Sequence, residues 1–340
     1  MKIAQIGWAG NANWGDERMF YCLSRYMWPH QIVRYSNFYE AIQHIHAINA
    51  CDYVLIGGGG LIFRGFSRYV SFITAIKKPM GCIGLSIETD AVHTDMKQGL
   101  DLLLKKSDFI YVRNKESATK LKNHYKVILG PDITFLYPYK ENNIQKETYG
   151  VNIRNWFWWD RELYSFWDNL FNRYKEKIPF LKQIYPFAKW DEEDFIRILK
   201  KNIRNINPLP YYFGKHDVTD EQVLKKYFNN VPGTYSESQM RNIKYVIGMR
   251  LHSLIFATQM GIPFVSLSYE PKNNNYCDDI GLPELSLNLK DYKKIPEKIA
   301  YIKKNYSEIK KRLLLYSSES QKKCSYIFKK VKDLIEQRVN

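Results

Sequence analysis

Cysteine is scarce. The 340 residues hold five, at positions 22, 51, 82, 277 and 324, and no two are closer than 29 residues. That odd count and wide spacing exclude a zinc ribbon and a C-x-x-C redox pair, and argue for a reducing compartment. Long apolar runs are missing as well. The longest, Val54 to Phe63, contains four glycines and ends at Arg64. It falls far short of the roughly 20 residues that cross a bilayer. Met1-Lys2 leads straight into Ile3 to Gly7, a run too short for a signal-peptide core. These absences predict a cytoplasmic protein. No repeat, low-complexity tract or nucleic-acid motif is evident. No Asp/His cluster has metal-ligand spacing, so neither a metal nor a cofactor is expected.

What is present is ordinary in amount and uneven in placement. Hydrophobic residues make up 45%, enough for a globular core and too many for a disordered chain. The length suggests two domains. Aromatics reach 15%, with 26 Tyr and 8 Trp. Such side chains suit grooves for polar ligands, and they fill cores equally well. The net charge is +16, and residues 290–340 carry 15 Lys/Arg against 6 Asp/Glu. A solvated basic face is the default explanation. An anionic membrane surface comes second, and nucleic acid is ranked last and not expected as a partner.

Short apolar runs alternate with helical spacing. Lys2–Gly7 reads as a buried strand, Gly10 to Asp16 as a loop, and Glu17–Met27 as a helix. Tyr53–Ile56 is a second strand followed by the loop Gly57–Gly60. Cys82–Ser86, Phe109–Val112 and Lys126–Leu129 continue the series. Tyr139 to Thr148 looks like a linker. The pattern restarts with Gly150–Ile153, Leu209–Phe213, Tyr245–Gly248, a helix from about Leu251, and Phe264–Ser268. Alternation of this kind predicts mostly parallel sheets covered on both faces. Residues 295–317 place Ile295, Ile299, Ile302, Tyr306, Ile309, Leu313 and Tyr316 on one helical face, and Ser317–Val339 reads as a second helix. The expected organisation is α/β, with Rossmann-like domains at 1–140 and 149–294, a cleft between them, and basic helices at 295–340 packing across.

Three segments could carry chemistry. Gly10-Asn11-Ala12-Asn13-Trp14-Gly15-Asp16-Glu17 joins a strand to a helix start, where small residues let backbone N–H groups approach a ligand. Simple capping by the acids explains the same residues. Four consecutive glycines at 57–60 cost backbone entropy, so either another backbone or a ligand must lie close. Gly248-Met249-Arg250-Leu251-His252 ends a strand and opens a helix. The next strand is followed by Tyr269-Glu270-Pro271-Lys272. Arg250, His252 and Lys272 thus arise at consecutive strand ends on one face of the sheet, and Arg154 ends the first strand of that unit. Several donors beside a helix start suit a ligand with more than one negative charge, such as a phosphate plus a carboxylate.

In this order, with Val112-Arg113, Ser117, Gly130-Pro131-Asp132 and Asn152-Ile153-Arg154 between them, the segments resemble the polysaccharide pyruvyl transferases over roughly residues 1–290. The Arg-Leu-His segment with Lys twenty residues later is the specific part. The resemblance implies the paired Rossmann-like (GT-B-like) fold. It also implies transfer of a pyruvyl group from phosphoenolpyruvate to two hydroxyls of a sugar or lipid-linked oligosaccharide, giving a ketal. It assigns Arg154, Arg250, Leu251, His252 and Lys272 to the donor. Asn11, Trp14, Gly59, Gly60 and Arg113 fall to the acceptor. The first loop is longer than the family's usual one, and Trp156-Phe157-Trp158-Trp159 is unusually bulky. In the chemistry this implies, His252 protonates the donor's methylene carbon and Asp16 is the candidate base for the attacking hydroxyl. A nucleotide-sugar glycosyltransferase on the same scaffold is the rival enzyme, and a non-catalytic carbohydrate- or phosphate-binding protein is the rival outside enzymes. Peripheral contact with an anionic inner membrane is expected from the basic C-terminal helices.

Overall fold

Eleven strands pair in two wholly parallel sheets in a computed structural model that describes residues 1–89, 92–122, 124–156 and 190–339. The first sheet holds β1 (Lys2–Ile6), β2 (Gln31–Tyr35), β3 (Tyr53–Ile62), β4 (Met80–Ile87), β5 (Ser107–Val112) and β6 (Val127–Leu129), in the order β2-β1-β3-β4-β5-β6. The second holds β7 (Tyr149–Asn152), β8 (Ile206–Pro208), β9 (Tyr245–Gly248), β10 (Phe264–Ser268) and β11 (Ser286–Asn288), in the order β11-β10-β9-β7-β8. The central strands are continuous apolar runs because helices cover both their faces. β4 is buried at all eight positions.

Several boundaries differ from the sequence reading. The glycine run is not a loop after a strand. It lies inside β3, with Gly57 in register with Ile83. A Cβ on Gly57 would stand 1.9 Å from the Ile83 carbonyl oxygen, and Gly57 has a φ of +152°. Close backbone packing therefore accounts for that glycine. The strand expected at Leu209–Phe213 is displaced to β8, and Tyr211 and Tyr212 instead donate their backbone N–H groups to the buried Asp220 carboxylate. Strands β2 and β11 carry too few contiguous apolar residues to stand out. The first helix starts at Trp14 rather than Glu17. The Tyr139–Thr148 stretch is docked, since the Asn142 side chain donates to the carbonyls of Met240 and Ile243.

The C-terminal segment breaks at Asn305, not near Ser317, giving helices Ile295–Lys304 and Tyr306–Val339. The long helix crosses from the second sheet back to the first. Cys324 and Phe328 pack on Tyr111 of β5, and Glu336 bonds His30 at 2.7 Å. One apolar core consequently runs through both halves. Among the described residues no helix is long and apolar enough to cross a membrane.

Phe328 is 2% exposed, with Tyr26 and Tyr111 against its ring. Phe328→Ala leaves a cavity where the last helix meets the first sheet, and the expected loss of stability is about 3–5 kcal/mol. Urea unfolding followed by fluorescence measures it. A loss below about 1 kcal/mol would mean that the helix contributes little to the fold.

Candidate active site

The strand order of each sheet reverses once, between β1 and β3 in the first and between β7 and β9 in the second. In open α/β sheets the crevice beyond such a reversal is where ligands sit. One cavity of about 1310 Å³ lies there, lined from both halves. Asp16, Gly59, Gly60, Glu88 and Arg113 come from the first, and Arg154, Arg250, Leu251, His252, Glu270 and Lys272 from the second.

The wall from the first half is built around a buried guanidinium. Arg113, one residue past β5, donates to Asp132 at 2.9 Å and to the Ser86 hydroxyl at 2.9 and 3.1 Å. Glu88 stands 3.5 Å from it and accepts from Ser86 at 2.6 Å. The last two glycines of the run make room here. A Cβ on Gly60 would lie 2.2 Å from the Glu88 carboxylate, and one on Gly59 would lie 2.8 Å from that of Asp16. Asp16 sits in the first turn of the Trp14 helix and is 7% exposed. Burial raises its carboxyl from 3.8 to about 6, against the pull of His252 and Arg113. Burial pushes Asp132 upward too, but there His252, Arg113 and the Thr134 N–H outweigh it and hold the carboxyl well below the usual range.

The facing wall carries Arg154, Arg250 and Lys272. Arg250 precedes the helix Leu251–Met260, whose start no side chain caps. The first-turn N–H groups and the dipole at this end favour an anion. The Arg250 guanidinium grips the fully buried Asp220 at 2.6 to 3.2 Å. Asn152, at the end of β7, accepts the Arg250 backbone N–H and donates to Asp220. Lys272 follows β10 and lies between Glu270 at 2.5 Å and Glu88 at 3.2 Å. Arg154 donates to the Tyr269 hydroxyl at 3.2 Å, stacks against Trp156, and has Asp217 at 3.6 Å. His252 Nε2 is 3.6 Å from Asp132, beyond hydrogen-bond length. The other side of its ring is pressed against Gly15, where a Cβ would fall 1.8 Å from Nδ1. Gly15 thus exists so that the imidazole can lie against the start of the first helix, one residue from Asp16.

Nine of the eleven candidate residues therefore meet in one cavity. Asn11 and Trp14 do not line it. The Asn11 amide is spent on the carbonyls of Trp8 and Ser36 and on His216 at 2.9 Å. The Trp14 ring packs at a tilt against Tyr235, and its backbone N–H donates to the Tyr211 carbonyl. Both clamp the first loop to the second half, which explains that loop's extra length better than acceptor contact does. Phe157, Trp158 and Trp159 lie outside the described residues. Glu88, Asp132, Asp220 and Glu270 are the site residues to which sequence reasoning gave no role. Asp132 and Glu270 sat inside quoted motifs, and nothing in the local pattern marks Glu88 or Asp220. Among the described residues no group of three His, Cys, Asp or Glu side chains could hold a metal ion.

The polysaccharide pyruvyl transferase family model matches residues 13–271. The chain belongs to that family. This pyruvyl transferase is thus a transferase of polysaccharide biosynthesis. Its architecture is that of the GT-B-type enzymes. The UDP-GlcNAc 2-epimerase of Neisseria meningitidis bound to UDP-GlcNAc superposes with a TM-score of 0.54 at 10% identity, covering 99% of this chain and 100% of that one. The S. aureus MnaA–UDP structure gives 0.52 at 9%, covering 92% and 90%. Acinetobacter baumannii MurG gives 0.50 at 8%, covering 99% of each. At such identities the likeness concerns the fold alone. No curated protein matches the chain.

The raised Asp16 carboxyl has a consequence for stability. Folded, Asp16 holds its proton more tightly than unfolded, so its favourable contribution is complete below about pH 4 and is lost as the pH rises through about 6. Asp16→Asn should accordingly be more stable than the parent at pH 8, by up to about 3 kcal/mol, and no more stable at pH 3.5. Urea unfolding of both proteins at the two pH values checks this. Equal stabilities at pH 8 would show that Asp16 is not held in a desolvated place.

Proposed function

We propose that this pyruvyl transferase moves the pyruvyl group of phosphoenolpyruvate onto two hydroxyls of a sugar in a bacterial cell-surface polysaccharide precursor, closing a pyruvate ketal. One observation carries the reading. Arg154, Arg250, Lys272 and His252 line one cavity, with Arg250 and His252 at a helix start, and a buried carboxyl, Asp16, lines the same cavity from the other half. Phosphoenolpyruvate presents a phosphate and a carboxylate to the cations. His252 gives its proton to the methylene carbon, which becomes a methyl group, and positive charge develops on the central carbon. A sugar hydroxyl adds to that carbon and loses its proton to Asp16. The bond from the central carbon to the phosphate oxygen breaks, phosphate leaves, and the second hydroxyl closes the ketal, its proton going to the departing phosphate. A carboxyl near 6 is ionised at neutral pH and is a stronger base than an ordinary aspartate. The cations already fixed in the site supply electrostatic stabilisation without reorganising.

The test separates binding from turnover. Arg154→Ala removes a charge-assisted contact and should weaken phosphoenolpyruvate binding roughly ten- to a hundredfold in calorimetry. His252→Gln should leave binding nearly unchanged while phosphate release with a glycan acceptor falls about 10²–10⁴-fold. Near-normal turnover in His252→Gln would remove His252 as the acid. Binding of a nucleotide-sugar in place of phosphoenolpyruvate would replace the reading with glycosyl transfer.

The same reading places the protein in the cytoplasm, in peripheral contact with an anionic inner membrane. The long C-terminal helix supports it. Tyr326 is 59% exposed beneath Lys330, and Trp28 is 75% exposed, with its carbonyl held by Lys332 at 2.5 Å. Each Lys or Arg near such a surface adds at most about 1 kcal/mol, and salt screens it. Sedimentation with phosphatidylglycerol vesicles should be strong at low salt and weaken in 0.5 M salt. Absence of binding at low salt would refute the contact.

A further inference from the structure

The lip of the cavity on the first-sheet side carries charge that the donor chemistry does not use. β3 ends at Ile62, and the chain turns through Phe63-Arg64-Gly65 into a short 3-10 helix, Phe66–Tyr69. The turn is held firmly. Gly65 takes a φ of +76°, its N–H donates to Asp95 at 2.8 Å, and its carbonyl accepts from Arg68 Nε at 2.9 Å. Arg64 and Arg68 are both exposed and both line the cavity. Deeper in, Arg113, Arg154, Arg250 and Lys272 each face a carboxylate within 4 Å. Among the described residues no ion pair engages Arg64 or Arg68; the Asp95 carboxylate, which also lines the cavity, accepts the Gly65 N–H. His93 lies on the same lip, and Lys290 belongs to the opposite wall.

The distance from the reacting groups is bounded by the strand. Gly59 lies against the Asp16 carboxylate, and Arg64 is five residues further along. At about 3.3 Å per residue, the Arg64 backbone is within roughly 16 Å of Gly59. A short saccharide bridges that span. An acceptor whose hydroxyls sit at Asp16 therefore has the length to reach the lip.

We propose that Arg64 and Arg68 form an anion subsite for the acceptor, taking the diphosphate of a diphosphate-linked sugar. The proposal rests on the pyruvyl-transfer reading, because it needs the acceptor hydroxyls to lie at Asp16. Two guanidinium forks suit adjacent phosphoryl groups, which accept paired hydrogen bonds in their plane. The chemistry is shared by two sources, a lipid diphosphate sugar and a nucleoside diphosphate sugar.

Both sources are tested directly. The full-length protein and the double variant Arg64→Ala/Arg68→Ala are titrated, with and without saturating phosphoenolpyruvate, with three probes: inorganic pyrophosphate, a farnesyl diphosphate-linked disaccharide and a uridine diphosphate sugar. Phosphoenolpyruvate is also titrated alone into both proteins. The expected result is binding of at least one diphosphate-linked sugar in the presence of phosphoenolpyruvate, weakened at least tenfold in the double variant. Phosphoenolpyruvate affinity should change less than twofold. The sugar that binds more tightly identifies the source. Equal probe binding by both proteins, no binding by any probe, or probes that only displace phosphoenolpyruvate would each overturn the subsite. Failure of the parent protein to bind phosphoenolpyruvate would instead sink the donor reading. The probe titrations without phosphoenolpyruvate then decide the subsite by the same tenfold criterion.

Discussion

Arg113 is almost wholly enclosed where the two halves meet, with its side chain 6% exposed. A guanidinium taken out of water costs several kcal/mol unless its donors are met. Here Asp132, Ser86 and Glu88 meet them. Each partner then imposes its own demand. Asp132, paired with Arg113 on one side, faces His252 of the other half. Glu88 faces Lys272, and Lys272 faces Glu270. An alternating line of charges, buried except at the half-buried Lys272, thus starts in the first half and ends in the second. Arg113, Glu88, Lys272 and Glu270 of this line face the cavity, so the relative placement of the two halves and the positions of the candidate catalytic groups are one constraint.

Two carboxyls in that enclosure behave in opposite ways. Asp16 and Asp132 are both buried, at 7% and 4% exposure. Asp132 has the Arg113 guanidinium at 2.9 Å, the Thr134 N–H and hydroxyl, and the imidazole of His252, so its charge is secured. Burial dominates at Asp16, and its proton is held to about 6. Two acids pushed apart in this way are suited to different tasks, one to stay ionised and the other to exchange a proton in the working range. Asp16 belongs to the wall on which an acceptor would lie, and Asp132 sits behind His252. Asp132 thus stays a fixed negative charge facing His252 at 3.6 Å, whereas Asp16 is the carboxyl whose proton burial retains.

The parts legible in sequence were those with a local signature. Contiguous apolar runs marked β1, β4, β5, β7, β9 and β10, and Gly248 to His252 showed a strand end opening a helix beside three cationic or titratable groups. Edge strands β2 and β11 lacked that signature, because an edge strand needs less continuous apolar surface. The glycine run stood out in sequence but read as a loop, whereas it lies inside β3, and its two duties were not separable by pattern. Gly57 admits the Ile83 backbone, whereas Gly59 and Gly60 leave space for Asp16 and Glu88. Asn11 and Trp14 looked like ligand contacts because they lie in a Gly-rich loop. In the fold they bond to His216 and pack against Tyr235, partners about 200 residues away that no local pattern can disclose. Asp220 was invisible for the same reason, since its partners Arg250, Asn152 and Tyr211 come together only in the folded protein.

Charge inside the cavity is graded from floor to rim. At the floor every cation has a carboxylate partner, which fixes its geometry before any ligand arrives and limits the net positive field there. Such prior pairing favours selection by shape over indiscriminate anion binding. A ligand must present its negative groups at the guanidinium edges that the carboxylates leave open, since displacing Asp220 from Arg250 would strand a buried charge. At the rim, Arg64 and Arg68 stand in water, where an unpaired guanidinium costs little. The two zones therefore suit different tasks. The paired floor can discriminate a small dianionic or trianionic donor by geometry, while the rim can attract and orient a larger anionic molecule whose far end needs less exact placement. Under the proposed pyruvyl transfer, that division would serve a cleft that brings a small charged donor and a longer glycan to one carbon.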